Sequence, residues 1–159
     1  MSKVNVVSAA IEPRLRLTLV AQHDISTGEV IFACQPAEVI NERTWRTIQV
    51  AFGQHVKNDW LDYVDHSCEP NAVFEVEQLA LVALRRIDPG EPITFFYPGA
   101  EVELAQGFAC TCGSADCIGE MKGGFYLTAD QMRWALGKGY CTSFIAGHLA
   151  RLLQLPARA

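Results

Sequence analysis

No stretch of this sequence is both long and apolar, its basic residues do not outnumber its acidic ones, and no internal repeat or low-complexity tract interrupts it. The longest hydrophobic runs are about four to seven residues, too short to cross a bilayer, so a membrane partner is not expected. The opening stretch MSKVNVVSAAIEPR lacks the sustained apolar core of a signal peptide, which predicts a soluble intracellular protein, cytoplasmic or, in a eukaryote, alternatively nuclear. Thirteen Lys and Arg against 18 Asp and Glu give a net charge of −5, which removes the diffuse cationic field that direct nucleic-acid binding needs. A cationic partner suits that charge better. With no linker and 159 residues, half of them hydrophobic, the chain has the length of one compact domain with one core.

Short strand-like runs make up most of what is present. RLTLVA (16–21), EVIFAC (29–34), TIQVAF (47–52), AVFEVE (72–77), LALVALR (79–85) and PITFFY (92–97) are rich in β-branched and aromatic residues. Turn formers such as DISTGE (24–29) and DPGE (88–91) separate them, which predicts a mainly β fold, a meander of small sheets. ERTWRT (42–47) has too little periodicity to assign. Near the end, Thr128 and Gln131 form a capping box ahead of MRWALGKG, Lys138 and Gly139 supply a stop, and FIAGHLARLLQ keeps helical spacing up to Pro156. Two short helices are expected to close the fold.

The cysteines are unevenly placed. Cys110, Cys112 and Cys117 fall within eight residues, with Gly113 and Ser114 letting the chain curl around a centre. A structural zinc ion takes four ligands, so a fourth must come from Cys34, Cys68, Cys141 or a histidine. Cys68 is preferred because DHSCEPN (65–71) is itself a tight polar turn beside a strand. Asp65, His66 and Ser67 invite comparison with a nucleophile dyad, but adjacent residues of an extended turn point apart, which argues against hydrolysis.

Three segments in order, DHSCEPN, ALRRIDPGEPITFFYP (83–98) and CTCGSADCIG (110–119), resemble the SET-domain family with its cysteine-rich post-SET segment. LVAQHDISTGEVIF (19–32) is similar to the family's first hairpin, so the resemblance covers about residues 14–120. It implies a β-clip-like fold of small sheets with a C-terminal pseudoknot: a SET domain over 1–104, a post-SET zinc-binding segment over 105–126 and a helical extension over 127–159. It implies transfer of a methyl group from S-adenosylmethionine to the lysine amine of a protein. By position Tyr97 matches the catalytic tyrosine, and Cys68, Cys110, Cys112 and Cys117 match the structural zinc site. Tyr63, Phe96 and Phe74 are candidate walls of an aromatic channel, each with core packing as the competing reading and Phe74 expected in the core, and Tyr63 is a second catalytic candidate. The cofactor pocket is expected along Arg16, Leu17, Thr18 and Leu19, at Asp65 and His66, and near Tyr97 and Phe108. Asn71 is expected to fix the knot through backbone hydrogen bonds.

The sequence departs from the family in two places. The usual G-x-G reads Arg16-Leu17-Thr18, and the asparagine before His-Ser-Cys is Asp65, an acceptor-only carboxylate expected to receive the cofactor's ammonium. Only about a dozen residues separate TIQVAF from Asp65, little room for the subdomain that builds one wall of a peptide groove. A groove completed by the C-terminal helices or by a second subunit of a homodimer is therefore one expectation, and a small amine or free amino acid derivative as substrate is another. The remaining alternative is a non-catalytic, zinc-stapled interaction module.

Overall fold

A computed structural model describes residues 2–11, 14–35 and 37–154. In chain order the strands are β1 (Val4–Ile11), β2 (Arg14–Ala21), β3 (Val30–Ala33), β4 (Glu38–Ile40), β5 (Thr47–Ala51), β6 (Gln54–Lys57), β7 (Asp65–His66), β8 (Ala72–Glu75), β9 (Ala80–Ala83), β10 (Thr94–Phe95), β11 (Phe108–Ala109) and β12 (Glu120–Met121). Helices α1 (Ala129–Lys138) and α2 (Ser143–Gln154) follow. The expected strands are present, though PITFFY contributes only two paired residues, and ERTWRT forms a turn leading into β5. The Pro156 stop lies outside the described residues.

The sheets are small, as expected, but they are not a simple meander. β1 and β2 form a long hairpin, β9 sits between β3 and β8, and β6 sits between β4 and β5. β7 and β10 pair in parallel, with Asp65 opposite Thr94 and His66 opposite Phe95. That short ladder brings the polar turn beside the strand that ends in Tyr97. Asn71 locks the arrangement as expected: its Nδ2 donates to the Pro92 carbonyl at 2.8 Å and its Oδ1 accepts from the Thr94 amide at 2.8 Å. β2 runs along the same segment, because the Ile93 amide donates to the Leu19 carbonyl at 2.8 Å and the Ala21 amide donates to the Glu91 carbonyl at 3.0 Å.

Apolar residues gather in two clusters. One fills the space between the hairpin and the central sheets, around Leu19, Ile25, Phe74, Leu81 and Ile93. The other joins Phe96, Met121, Met132, Ile145 and Leu149 to the cysteine-rich segment, so the two helices pack onto that segment. The capping box is formed, with Thr128 Oγ1 accepting from the Gln131 amide and the Gln131 side chain accepting from the Thr128 amide. Gly139 ends α1 in the left-handed conformation at φ 70°. Gly99 shows why a side chain is excluded at the junction: a Cβ there would stand 2.2 Å from the Tyr140 carbonyl oxygen, in a contact that docks the helices against the Tyr97 turn. Phe96 has no exposed surface and stacks edge-on against Trp134 at 5.5 Å, so its removal should cost about 3–5 kcal/mol.

Candidate functional site

A cavity of about 710 Å³ opens where the two clusters meet. One end is built from β2, the turn at Asp65 to Ser67, Tyr97 and Phe108. Strand alternation decides which β2 residues reach it, since side chains one position apart point to opposite faces. Arg16 and Thr18 line the cavity, while Leu17 is on the other face and 52% exposed, and Leu19 is buried in the main core. Of the four residues expected along the cofactor pocket, Arg16 and Thr18 put side chains at the cavity and Leu17 and Leu19 do not.

Aromatic rings concentrate at this end. Tyr97 lies 4.7 Å from Phe95, 5.2 Å from His66 and 6.0 Å from Phe108, and His66 lies 5.7 Å from Phe108, all centroid to centroid. The wall residue is Phe95, not Phe96: neighbours in an extended segment face opposite ways, and the second cluster takes Phe96. Phe74 belongs to the main core, and Tyr63 packs against that core without lining the cavity. The Tyr97 hydroxyl donates to the Val64 carbonyl at 2.7 Å. Burial drives its phenol far above the usual value, and the Asp65 charge adds to the shift, so the proton stays on the oxygen. His66 Nδ1 accepts the Tyr97 backbone amide at 3.2 Å, which leaves the ring proton on Nε2, 3.5 Å from Cys68 Sγ. Burial lowers the pKa of His66 to about 4, so the ring is neutral at physiological pH.

Asp65 does not stand free. Arg16 Nη2 donates to its Oδ1 at 2.5 Å and Thr18 Oγ1 donates to its Oδ2 at 2.6 Å. The carboxylate expected to wait for a cofactor ammonium already accepts from the two side chains at the glycine positions. The departures read separately in the sequence thus form one constellation, with acid, guanidinium and hydroxyl completing one another.

The four cysteines converge. The Sγ atoms of Cys68, Cys110, Cys112 and Cys117 all lie within 4.8 Å of one another, whereas Cys34 is buried in the main core. The pairing of β11 with β12 closes the loop that carries three of them. Burial works to raise the Cys112 thiol, but backbone hydrogen bonds at Cys68 and Ser114 and side-chain hydrogen bonds with Cys110 and Cys117 together bring it down to about 7. A tetrahedral ion at the usual zinc–sulfur length of roughly 2.3 Å needs sulfurs about 3.8 Å apart, and four thiols within 4.8 Å of one another fit that requirement.

The far end of the cavity was not anticipated. Trp45, Arg46, Asp62 and Glu101 line it, supplied by the turn before β5, the 3₁₀ turn Leu61–Tyr63 and the segment after Tyr97. Arg46 Nη1 meets Asp62 Oδ2 at 3.0 Å, and His55 Nδ1 lies 3.2 Å from Glu101 Oε1. Burial raises Glu101 to about 9 and lowers His55, so the contact joins neutral partners and is not an ion pair. No local motif marks these acids. The one signal was two carboxylates set in apolar surroundings, Asp62 in WLDYV and Glu101 in GAEVEL.

The SET domain profile matches residues 16–98, more than half of the chain. The chain belongs to the SET-domain family. Among curated relatives, Methyltransferase flvH of Aspergillus flavus is 33% identical over 86 residues, covering 52% of this chain and 48% of that protein. The Histone-lysine N-methyltransferase, H3 lysine-36 specific, of Candida albicans is 30% identical over 147 residues, covering 77% of this chain and 17% of that protein. The chain therefore spans about half or less of the length of these relatives. Among solved structures, KRYPTONITE in complex with mCHG DNA and SAH shares the fold at a TM-score of 0.52 and 18% identity, over 74% of this chain and 29% of that one. In this chain Arg16 and Thr18 are linked through Asp65, and Asp62 and Glu101 line the same cavity.

Proposed function

We propose that this SET domain is an S-adenosylmethionine-dependent methyltransferase acting on an amine, and that its four cysteines hold a structural zinc ion. The observation that carries the reading is the cavity in which Tyr97, His66, Phe95 and Phe108 bring their rings together beside the Asp65 turn. The nucleoside cofactor would be held between Arg16, Thr18, Asp65, His66 and Phe108. Bound there, it supplies a methyl group on a sulfonium, so that attack by the amine nitrogen forms an N–C bond, breaks the S–C bond and leaves a neutral thioether.

The chain's own groups suit this chemistry. Ring faces favour a cationic sulfonium or ammonium by roughly 0.5–2 kcal/mol each. A neutral His66 adds no repulsion to either charge. Because the Tyr97 proton is committed to the Val64 carbonyl, the phenol oxygen keeps its lone pairs to accept an N–H of the amine and aim it. A lysine-type amine has an ordinary pKa near 10.4, so only on the order of one molecule in a thousand is unprotonated at neutral pH. Alignment in a water-poor aromatic site therefore matters more than covalent participation by the protein. Four thiolates leave no open coordination position, so the metal's role is to hold the segment that carries Phe108 and Cys112 against the cavity.

Lysine in a protein is the first substrate to try, because the Candida albicans relative bears a histone-lysine methyltransferase name. The short segment between β5 and Asp65 favours a small amine as the second. Incubation of the purified chain with methyl-labelled S-adenosylmethionine, histone peptides and a panel of small amines, read by mass spectrometry, tests both. Label appearing on a nitrogen supports the reading. A protein that binds the cofactor and transfers label to none of them counts against methyl transfer to amines.

A further inference from the structure

We propose that Asp62 and Glu101 form a recognition site for a second, non-reacting ammonium group of the substrate, which makes the acceptor a small molecule with two basic nitrogens. This rests on the methyl-transfer reading only for which nitrogen is methylated; the recognition site itself is argued from the acids.

Among the described residues, the buried side-chain oxygens left without a hydrogen-bond partner are Asp62 Oδ1 and Glu101 Oε2, and both residues line the same cavity. Buried acceptors are nearly always satisfied, and each lone exception costs about 1–3 kcal/mol unless a ligand meets it. The Glu101 side chain is only 6% exposed and its partner His55 only 5%, so bulk water does not explain the vacancy at Oε2. The neighbours do not fill it: His55 takes the other oxygen of Glu101, Arg46 takes the other oxygen of Asp62, and Arg43 is engaged with Glu103 at 2.8 Å. What is missing at both acids is a donor, and an ammonium carries three.

The nitrogen held here is not the one that reacts. An ammonium entering beside Glu101 displaces to solvent the proton that burial otherwise keeps on its carboxyl. The resulting carboxylate favours the charged form of that nitrogen, which then has no lone pair with which to attack. The reacting nitrogen belongs with the aromatic rings around Tyr97, and the acids hold the other end. Both groups lie within one cavity of about 710 Å³, which suits a compact molecule better than a polypeptide. Trp45, 63% exposed with the Arg46 guanidinium 4.3 Å over its ring, stands at the same end.

Calorimetry on the full, metal-loaded chain with S-adenosylhomocysteine present tests this without requiring turnover. The probes are diaminobutane, diaminopentane and diaminohexane, each against the alkyl monoamine of equal chain length. At least one diamine should bind about tenfold or more tightly than its monoamine, the change expected from one charge-assisted hydrogen bond. Glu101→Gln and Asp62→Asn should each remove most of that preference while monoamine affinity stays the same. Equal binding of diamine and monoamine by the parent overturns the proposal, and so does an undiminished preference in a folded Glu101→Gln variant. If Glu101→Gln does not fold, Asp62→Asn and the parent's ligand series decide. The same titrations separate the two readings: nucleoside binding without diamine preference sinks this site and leaves methyl transfer standing, whereas diamine preference without nucleoside binding does the reverse.

Discussion

The two ends of the cavity treat their carboxylates in opposite ways. At one end both oxygens of Asp65 accept from Arg16 and Thr18, while at the other Asp62 and Glu101 each keep a buried oxygen without a donor. A satisfied acid behaves as part of the scaffold, shaping the wall and fixing β2 against the turn. An unsatisfied one carries a standing cost that a ligand can relieve. The difference assigns the first end to architecture around the proposed cofactor and the second to selection of the proposed substrate.

The largest effect should come from removing the metal, because it acts on one end only. Ligand-to-metal free energy is folding free energy, so chelation should loosen residues 105–126 and the helices packed on them. Hydrogen exchange should show lost protection there while β5 and β6, beside Glu101, keep theirs, and nucleoside binding should vanish. Elemental analysis of freshly purified, reduced protein should find one zinc per chain; none would remove this part of the account.

Tyr97→Phe should follow. Loss of the hydroxyl strips the Val64 carbonyl of its donor, costing about 1 kcal/mol of stability, yet turnover should fall on the order of a hundredfold if the oxygen aims the amine. Turnover and stability that fall together by the same small factor would mark the hydroxyl as purely structural.

Smaller effects are expected at Asp65. Because Arg16 is largely exposed, its ion pair contributes about 0–1 kcal/mol, and Asp65→Asn should barely shift the melting temperature. A double-mutant cycle between Arg16→Ala and Asp65→Asn should return a coupling energy of about 0.2–1 kcal/mol; strictly additive effects would show that the pair is not a unit.

The smallest effect is a slope. Glu101 is raised from 4.5 to about 9 in the folded protein, so between those values the folded state binds the extra proton and stability from this group falls as pH rises. Glu101→Gln should flatten that decline in denaturant titrations from pH 5 to 9, and a variant with the parent's slope would contradict the burial argument. If the same variant also loses diamine preference, stability and recognition oppose each other at this residue, as they do at many functional sites.

Much of the end built from the cysteine cluster and the Asp65 turn was legible because its signals are local or fall in ordered motifs. Three cysteines in eight residues, the His-Ser-Cys turn and the capping box at Thr128 each declare themselves within a few residues. β1 was missed because VNVVSAAI mixes Asn, Ser and Ala into its run and becomes a strand only by pairing with β2. That Phe95 and not Phe96 meets the cavity is a matter of phase: the alternation was readable, but which face met the cavity depended on the helices that take Phe96. The Asp65 constellation was half legible: each departure was visible in the sequence, but their mutual pairing was not, because Asp65 lies 47 residues or more from Arg16 and Thr18. Asp62 and Glu101 were out of reach, because long-range pairing of β5 with the segment after Tyr97 brings them to one cavity.

The central claim, that this cavity is a nucleoside cofactor site despite its lost glycines, is tested most directly by calorimetric titration of S-adenosylmethionine into the metal-loaded protein. The account predicts saturable binding of one molecule per chain, weakened by Phe108→Ala and unaffected by Asp62→Asn. An absence of binding at millimolar cofactor, with zinc bound and the fold intact, would contradict it.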